Sequence, residues 1–192
     1  MDVLMLDVDG VLVADKSETF VRDADLDAAI AEARSMLTAE DWEALVTGHI
    51  DLLQLLGQRL PTGGDAQVLL DYWFASETHV NPVVLAAVQR LRAGGMRVYL
   101  ATNQEHRRAR YLMETLGLLA HVDGIVHSAA LGHRKPAPEY FAAAAAKVGA
   151  RAEDIVFIDD NAGNVDAARN AGWRATHWRG DLSLEAAISA AR

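Results

Sequence analysis

Cysteine is absent from this chain of 192 residues, which excludes disulfide bonds and thiolate metal ligands. A chain without cysteine is compatible with a reducing compartment. Positive charge is also scarce, with 18 lysines and arginines against 27 acidic residues and a net charge of −9. A nucleic-acid partner would require a basic patch, so the composition argues against one. A small anionic ligand remains compatible, because its pocket needs only a few local cations.

Long hydrophobic runs and a basic N-terminal region are missing as well. No apolar stretch reaches the roughly 20 residues that span a bilayer. The first apolar runs are interrupted by Asp2, Asp7 and Asp9, which argues against a signal peptide. We therefore expect a cytoplasmic protein with no membrane partner. Hydrophobic residues still make up 51% of the chain, which is enough for one domain carrying a smaller insertion.

Strands and helices alternate in the first few residues and again from Asn81 onward. Apolar runs predict strands at 3–7, 97–101, 124–127 and 155–158, with a candidate edge strand at 175–177. Helical patterns of about 10–15 residues lie between these runs, and one begins at Asn81-Pro82, a cap residue followed by proline. This alternation predicts a Rossmann-like α/β fold, a parallel sheet sandwiched by helices.

The segment between these two parts has a different pattern. Residues from Gly10 to about Ala14 predict a turn, and helical periodicity then extends from about 18 to 79 with no convincing strand. Breaks in it fall at Thr47-Gly48-His49 and at Pro61-Thr62-Gly63-Gly64. We therefore predict a core domain from 1–14 plus 80–192 and a helical domain at 15–79. The two hinges are expected near 14–18 and 76–81.

Polar side chains follow the predicted strands of the core. They form four clusters: Asp7 and Asp9, Thr102 and Asn103, Lys135, and Asp159 with Asp160. The carboxyl ends of parallel strands share one edge of a sheet, and ligands bind in the crevice there. Clusters far apart in sequence should therefore converge. The first cluster, Asp7 and Asp9, is unfavourable by itself, because strand alternation points both carboxylates to the same side, where they repel each other.

The order of these motifs resembles the haloacid dehalogenase superfamily. The matching residues are Asp7-x-Asp9-Gly10-Val11, Thr102-Asn103, Lys135-Pro136-x-Pro138 and Asp159-Asp160-x3-Asn164. The helical insertion after the first motif resembles the C1-type cap of that superfamily, in its phosphatase-like subgroup. The resemblance covers the whole chain and implies a Mg²⁺-dependent phosphatase.

Each motif residue has a role that chemistry supports. The carboxylate of Asp7 can attack phosphorus and form an aspartyl-phosphate. Asp9 can protonate the leaving oxygen and then take a proton from water. Thr102 and Lys135 would hold the phosphoryl group, and Asn103 would touch the substrate or steady its loop. The alternatives are a turn for Asp9 and Asn103, a helix cap for Thr102 and a solvated surface lysine for Lys135.

The acidic pair after the fourth strand predicts a metal site. Hard carboxylate oxygens select Mg²⁺, and a helix-N-terminal pair is the alternative. By the resemblance, Asp160 is the direct metal ligand, and Asp159 supports the ligands without touching the metal or binds it through a water molecule. Asp7 and the backbone carbonyl of Asp9 complete the set, and Asn164 would orient Asp160.

The predicted function is hydrolysis of a small phosphate monoester, such as a sugar phosphate, by a monomer or homodimer. A phosphosugar mutase is the first alternative, and a haloacid dehalogenase is the second. The dehalogenases lack a second Asp two residues after the nucleophile, so Asp9 favours phosphoryl transfer. A phosphoacceptor signalling module and an inactive binding scaffold are the non-enzymatic alternatives, and the intact motif set disfavours both.

A helical lid would exclude water from the crevice and contribute specificity contacts. The candidate side chains in the lid are Arg22, Trp42, His49, Arg59 and Trp73, none of which is assigned to the substrate. Gln104 and His106 are further candidates on the core side. His133 and Arg134 are interpreted as exposed loop residues.

Overall fold

The computed structural model of the chain describes residues 2–14, 20–60 and 65–191. Its centre is a parallel sheet of five strands: β1 (Val3–Leu6), β4 (Arg97–Thr102), β5 (Gly124–His127), β6 (Ile155–Asp159) and β7 (Arg174–His177). Their order across the sheet is β5-β4-β1-β6-β7. The predicted Rossmann-like α/β fold is confirmed.

The central strand β1 is buried along its whole length. It pairs in parallel with β4 on one side and with β6 on the other. Helices cover both faces of the sheet, so this strand is a continuous apolar run rather than an alternating one. The chain builds the β4–β5 side first and then crosses to the β6–β7 side, which makes the carboxyl end of β1 the switch point of the sheet.

Successive side chains of β1 enter two separate apolar layers, as strand geometry requires. Leu4 and Leu6 pack with α5 (Pro82–Ala93) and α10 (Leu184–Ala190). Val3 and Met5 pack with α8 (Pro138–Val148) and α9 (Ala162–Asn170). The remaining core helices are α6 (His106–Arg110), which continues as a π-helical turn at Tyr111–Thr115, and α7 (Ser128–Leu131). Short 3-10 turns lie at Leu118–Ala120 and Ala152–Asp154.

Four helices form a separate layer, which we call the cap. They are α1 (Ala24–Ser35), α2 (Ala39–Val46), α3 (Leu52–Arg59) and α4 (Ala66–Ser76). The cap has its own apolar cluster, in which Leu45, Leu56 and Leu70 are almost completely buried. None of the helices in the described ranges is both long enough and apolar enough to cross a membrane. The division into a core at 1–14 plus 80–192 and a domain at 15–79 stays a proposal.

The structure corrects the predicted local pattern where the chain crosses between core and cap. Residues 13–14 were predicted as part of a turn, but they form a short strand β2 (Val13–Ala14) antiparallel to β3 (His79–Val80). Two-residue strands are too short to show a period. The hinge residues 15–18 and the predicted loop at 61–64 lie outside the described residues.

Local helix signals behave as predicted at the re-entry to the core. Asn81 caps α5 by accepting hydrogen bonds from the backbone of Val83 and Val84, and Pro82 is the first helical residue. The single helical stretch expected before residue 47 is instead divided at Thr38 by a capping box with Asp41.

Phe141 gives a test of the core. Its ring is fully buried and lies 5.2 Å from Trp173 and 6.0 Å from Phe157, centroid to centroid. Phe141→Ala should lower the free energy of unfolding by about 3–5 kcal/mol, because it removes apolar contacts and leaves a cavity. Urea unfolding measures this. Val83→Ala, at a side chain that is 72% exposed, should change it by less than about 0.5 kcal/mol. A loss of less than about 1 kcal/mol for Phe141→Ala would contradict the packing described.

Candidate active site

The four polar clusters converge at the carboxyl edge of the sheet. Asp7 follows β1, Thr102 ends β4, Asp159 ends β6 and Lys135 lies in the loop after α7. Each cluster contributes at least one residue to the lining of a cavity of about 310 Å³. The lining residues are Asp7, Asp9, Gly10, Thr102, Asn103, Lys135, Asp160, Asn161 and Asn164. We call this the lower cavity.

The ammonium group of Lys135 is the centre of the cluster. Its Nζ lies 2.6 Å from Asp159 Oδ2, 2.9 Å from Asp7 Oδ1 and 2.8 Å from the carbonyl oxygen of Ala101. These contacts match its three donor hydrogens. Burial would lower the pKa of Lys135, but the two carboxylates outweigh it and raise the pKa above its usual range. Lys135 is therefore a buried cation, and the surface alternative is wrong.

The backbone around Lys135 is fixed by Asn103. Its Nδ2 donates to the carbonyl oxygen of Lys135 at 2.9 Å, and its Oδ1 accepts from the Lys135 amide at 2.8 Å. Asn103 therefore steadies the loop that carries Lys135. Contact between Asn103 and a substrate stays a prediction.

Asp7 is the nucleophile candidate, and its side chain is nearly buried. Burial raises its pKa from the usual 3.8 to about 7, and Asp159 adds to the rise, whereas Lys135 and the Val8 amide oppose it. The ionised form that nucleophilic attack requires is therefore disfavoured by the protein alone. A second cation beside Asp7, in addition to the Lys135 ammonium, would favour the ionised form.

The acidic pair divides into a buried and an exposed member. Asp159 is fully buried, and it accepts from Lys135, from the Asn161 amide at 2.8 Å and from Asn164 Nδ2 at 3.1 Å to each oxygen. The predicted link from Asn164 to Asp160 is thus corrected, because Asn164 binds Asp159. The helix α9 is capped by Asn161.

Asp160 is exposed and lies against Gly10. A Cβ built on Gly10 would come within 2.2 Å of Asp160 Oδ2, and the backbone of Gly10 has a φ of +81°. Glycine suits both conditions, because it tolerates positive φ and has no side chain. The residue brings the loop after β1 close to the exposed carboxylate.

Three carboxylates lie close enough for one metal ion. One oxygen from each of Asp7, Asp159 and Asp160 lies within 4.8 Å of the others. With all groups ionised, these carboxylates and the Lys135 ammonium carry a net charge of −2. Oxygen donors and this charge fit a hard divalent cation such as Mg²⁺. Lys135, Asn161 and Asn164 engage Asp159 inside the protein, whereas Asp160 is exposed at the rim of the lower cavity.

Asp9 lies above this cluster and contacts two residues that follow β4. Gln104 Nε2 donates to Asp9 Oδ2, and Arg108 Nη2 lies 3.6 Å from Asp9 Oδ1. Gln104 was a sequence candidate, whereas Arg108 was missed. No helical spacing links the two residues, because Gln104 precedes α6, so the sequence does not single out Arg108 among its neighbouring arginines. Glu105 caps α6 through the amides of Arg107 and Arg108, so the helix-cap alternative for Thr102 is wrong.

A second cavity of about 660 Å³ lies between the cap and the core. We call it the upper cavity, and it shares Asp9 with the lower one. Three of the cap candidates border it, namely Arg22, Trp42 and Trp73. His49 instead contacts Thr47, and Arg59 pairs with Asp41.

The cap is seated on the core through charged pairs. Arg107 Nε lies 2.7 Å from Asp51 Oδ2, and Arg134 Nη1 lies 3.0 Å from Glu43 Oε2. Arg134 was predicted as an exposed loop residue, but it is half-buried and bridges to the cap. His133 is exposed, as predicted. His106 pairs with His127 at 3.2 Å. The parallel sheet, the seated helices and the acidic cluster define a capped Rossmann-like α/β protein.

A family model described as haloacid dehalogenase-like hydrolase matches residues 1–172. The chain therefore belongs to the haloacid dehalogenase-like hydrolase family. It is 34% identical over 100 residues to a phosphoglycolate phosphatase of Cereibacter sphaeroides, with 52% of this chain and 45% of the relative covered. It is 31% identical over 100 residues to a fructose-1-phosphate phosphatase of Escherichia coli, with 52% and 53% covered. The chain spans about half the length of these curated relatives.

The fold is shared with a solved haloacid dehalogenase family enzyme of Bacteroides thetaiotaomicron. The structure of that enzyme in complex with magnesium and inorganic phosphate superposes on this chain with a TM-score of 0.75 and 17% sequence identity. The superposition covers 97% of this chain and 98% of that enzyme. A likeness at this identity shows a common fold that includes the cap as well as the core.

The raised pKa of Asp7 predicts how stability depends on pH when metal is removed by EDTA. Between pH 4 and 7 the folded protein holds a proton on Asp7 that the unfolded chain releases, so folding stability falls as pH rises. Asp7→Asn removes this dependence. Relative to the wild type, the Tm of the variant should therefore rise by a few degrees between pH 4 and pH 8, since 1 kcal/mol shifts Tm by about 2–4 °C at this size.

The matched control is Asp166→Asn, at a carboxylate whose side chain is 72% exposed. Thermal melts of this variant should follow the wild type from pH 4 to pH 8. A difference between Asp7→Asn and the wild type that stays constant over this range would show that Asp7 has an ordinary pKa.

Proposed function

We propose that the chain is a Mg²⁺-dependent phosphatase that hydrolyses a small phosphate monoester through an aspartyl-phosphate at Asp7. The observation that supports this most strongly is the position of Asp7 at the end of the central strand, 2.9 Å from the buried Lys135 ammonium. The carboxylates of Asp159 and Asp160 lie beside it, and Asp9 stands between the two cavities.

In the first step a carboxylate oxygen of Asp7 attacks phosphorus, and the bond from phosphorus to the leaving oxygen breaks. Asp9 gives its proton to that oxygen, so the alcohol leaves neutral. Thr102, which is buried and borders the lower cavity, donates a hydrogen bond from its hydroxyl to a phosphoryl oxygen. Lys135 offsets the negative charge that the phosphoryl group brings.

In the second step water attacks the phosphorus of the aspartyl-phosphate. Asp9, now ionised, takes the proton from this water, and the bond between phosphorus and the Asp7 oxygen breaks to release phosphate. A single carboxylate thus acts as acid and then as base, and the enzyme returns to its starting protonation state.

Asp7, Asp160 and the backbone carbonyl of Asp9 would hold Mg²⁺, and Asp159 would support these ligands or bind the ion through a water molecule. When bound, Mg²⁺ offsets the repulsion between the anionic nucleophile and the anionic ester. The relative from Bacteroides thetaiotaomicron binds magnesium and inorganic phosphate, which supports this assignment.

The upper cavity suits a neutral, hydroxyl-rich leaving group. The charged residues that border it are three arginines, at 22, 34 and 108, and four carboxylates, at 9, 27, 77 and 105. Arg22 and Arg34 are already paired with Asp27 and Glu77. Trp42 and Trp73 offer aromatic surface. We therefore favour a sugar phosphate, and the fructose-1-phosphate phosphatase among the relatives is consistent with this choice.

A screen of phosphate release over sugar phosphates and other small esters tests the proposal. The wild type should release phosphate with Mg²⁺ and lose that activity in EDTA. Asp7→Asn should lower kcat by at least about 10³-fold, because the nucleophile is removed, whereas Asp166→Asn should keep it. Undiminished turnover by Asp7→Asn would contradict the mechanism. Isomerised sugar phosphate without released phosphate would instead indicate a mutase.

A further inference from the structure

We propose that Arg108 is a positioning residue that couples the seated cap to the general acid Asp9. The proposal rests on the proposed phosphatase function. Arg108 lies in α6 on the core, its side chain is only 8% exposed, and it reaches both the cap and Asp9. No other role assigned above uses this buried cation.

The cap supplies the strongest partners of the Arg108 guanidinium. Nη1 donates to the carbonyl oxygen of Phe74 at 3.1 Å, and Nη2 donates to that of Glu77 at 2.8 Å. Both carbonyls belong to the C-terminal end of α4, where a helix carries partial negative charge. The guanidinium also lies 5.5 Å from the centroid of the Phe74 ring. Its position therefore depends on α4.

The same guanidinium faces the general acid. Arg108 Nη2 lies 3.6 Å from Asp9 Oδ1, while Gln104 donates to Asp9 Oδ2. The two carboxylate oxygens of Asp9 thus face two residues on one side of the segment after β4. Glu105 holds the backbone of this segment by accepting from the amide of Arg108.

The cap therefore determines how Arg108 acts on Asp9. With the cap seated, two carbonyls hold the guanidinium 3.6 Å from Asp9 Oδ1, where its charge orients that carboxylate toward the leaving oxygen. If α4 lifts away, the guanidinium loses both carbonyls and its fixed position, and Asp9 loses one of the two groups that orient it. Proton transfer to the leaving group is therefore favoured when the cap is seated.

Neighbouring Arg107 provides a matched control. It also joins the cap to the core, through Asp51 at 2.7 Å, but it has no described contact with Asp9. If activity falls only because the cap is loosened, Arg107→Met should lower it as well as Arg108→Met. If activity falls because Asp9 is no longer positioned, Arg108→Met alone should lower it.

Two esters with similar rings separate these effects. The leaving group of p-nitrophenyl phosphate departs as a stable phenolate without a proton, whereas that of benzyl phosphate is an alkoxide that needs one. The quantity to compare is kcat/KM, because it reports the first cleavage step. Arg108→Met should lower kcat/KM for benzyl phosphate at least about 10-fold and for p-nitrophenyl phosphate less than about 3-fold. Arg107→Met should change both esters equally.

The Asp9→Asn background tests whether Arg108 acts through Asp9. In that background Arg108→Met should lower kcat/KM for benzyl phosphate by less than about twofold, because coupled residues are not additive. If Arg108→Met does not fold, Arg108→Lys replaces it, with a smaller effect in the same direction, since lysine lacks the fork that reaches cap and Asp9 together.

Equal losses on the two esters would overturn the proposal, as would an undiminished loss in the Asp9→Asn background. Either result would make Arg108 a structural or substrate-binding residue. If the wild type released no phosphate from these two esters or from any ester in the phosphate-release screen, the phosphatase function itself would be contradicted.

Discussion

The ammonium of Lys135 joins the ends of the three central strands. It contacts Asp7 after β1, the carbonyl of Ala101 in β4 and Asp159 at the end of β6. A buried cation is stable only when its partners stay in place, and removal of one partner from such a group typically costs about 3–5 kcal/mol. The geometry of the candidate active site is therefore tied to the geometry of the sheet. Asn103 fixes the lysine backbone, and Asn164 fixes Asp159.

The same cluster explains the division of labour among the acidic residues. Asp159 is enclosed and fully engaged, so it sets charge and position, whereas Asp160 is exposed beside Gly10. Asp7 is nearly buried, and burial raises its pKa. A divalent cation would favour its ionised, nucleophilic form. Asp9 lies farther out, where the upper and lower cavities meet, which suits a group that exchanges protons.

Much of this arrangement was predictable from sequence. The strands are short apolar runs, and parallel strands bring their carboxyl ends together, so the convergence of the four clusters followed. The two-residue strands β2 and β3 were not predictable, because they are too short to show a period. The partner of Asn164 depends on side-chain direction rather than on spacing. Arg108 stands among other arginines in the sequence, and only the fold shows that it is buried. Arg134 was likewise missed because its partner, Glu43, lies 91 residues away.

The covalent step is the central claim, and it can be observed directly. Wild-type protein with Mg²⁺ and a sugar phosphate that it hydrolyses is quenched in acid during turnover and then treated with borohydride, which reduces an acyl phosphate to an alcohol. Mass spectrometry of the peptides should find homoserine at position 7. Homoserine at the position of another aspartate would contradict a nucleophilic Asp7. So would the absence of any reduced aspartate in protein that is quenched while the covalent intermediate has accumulated.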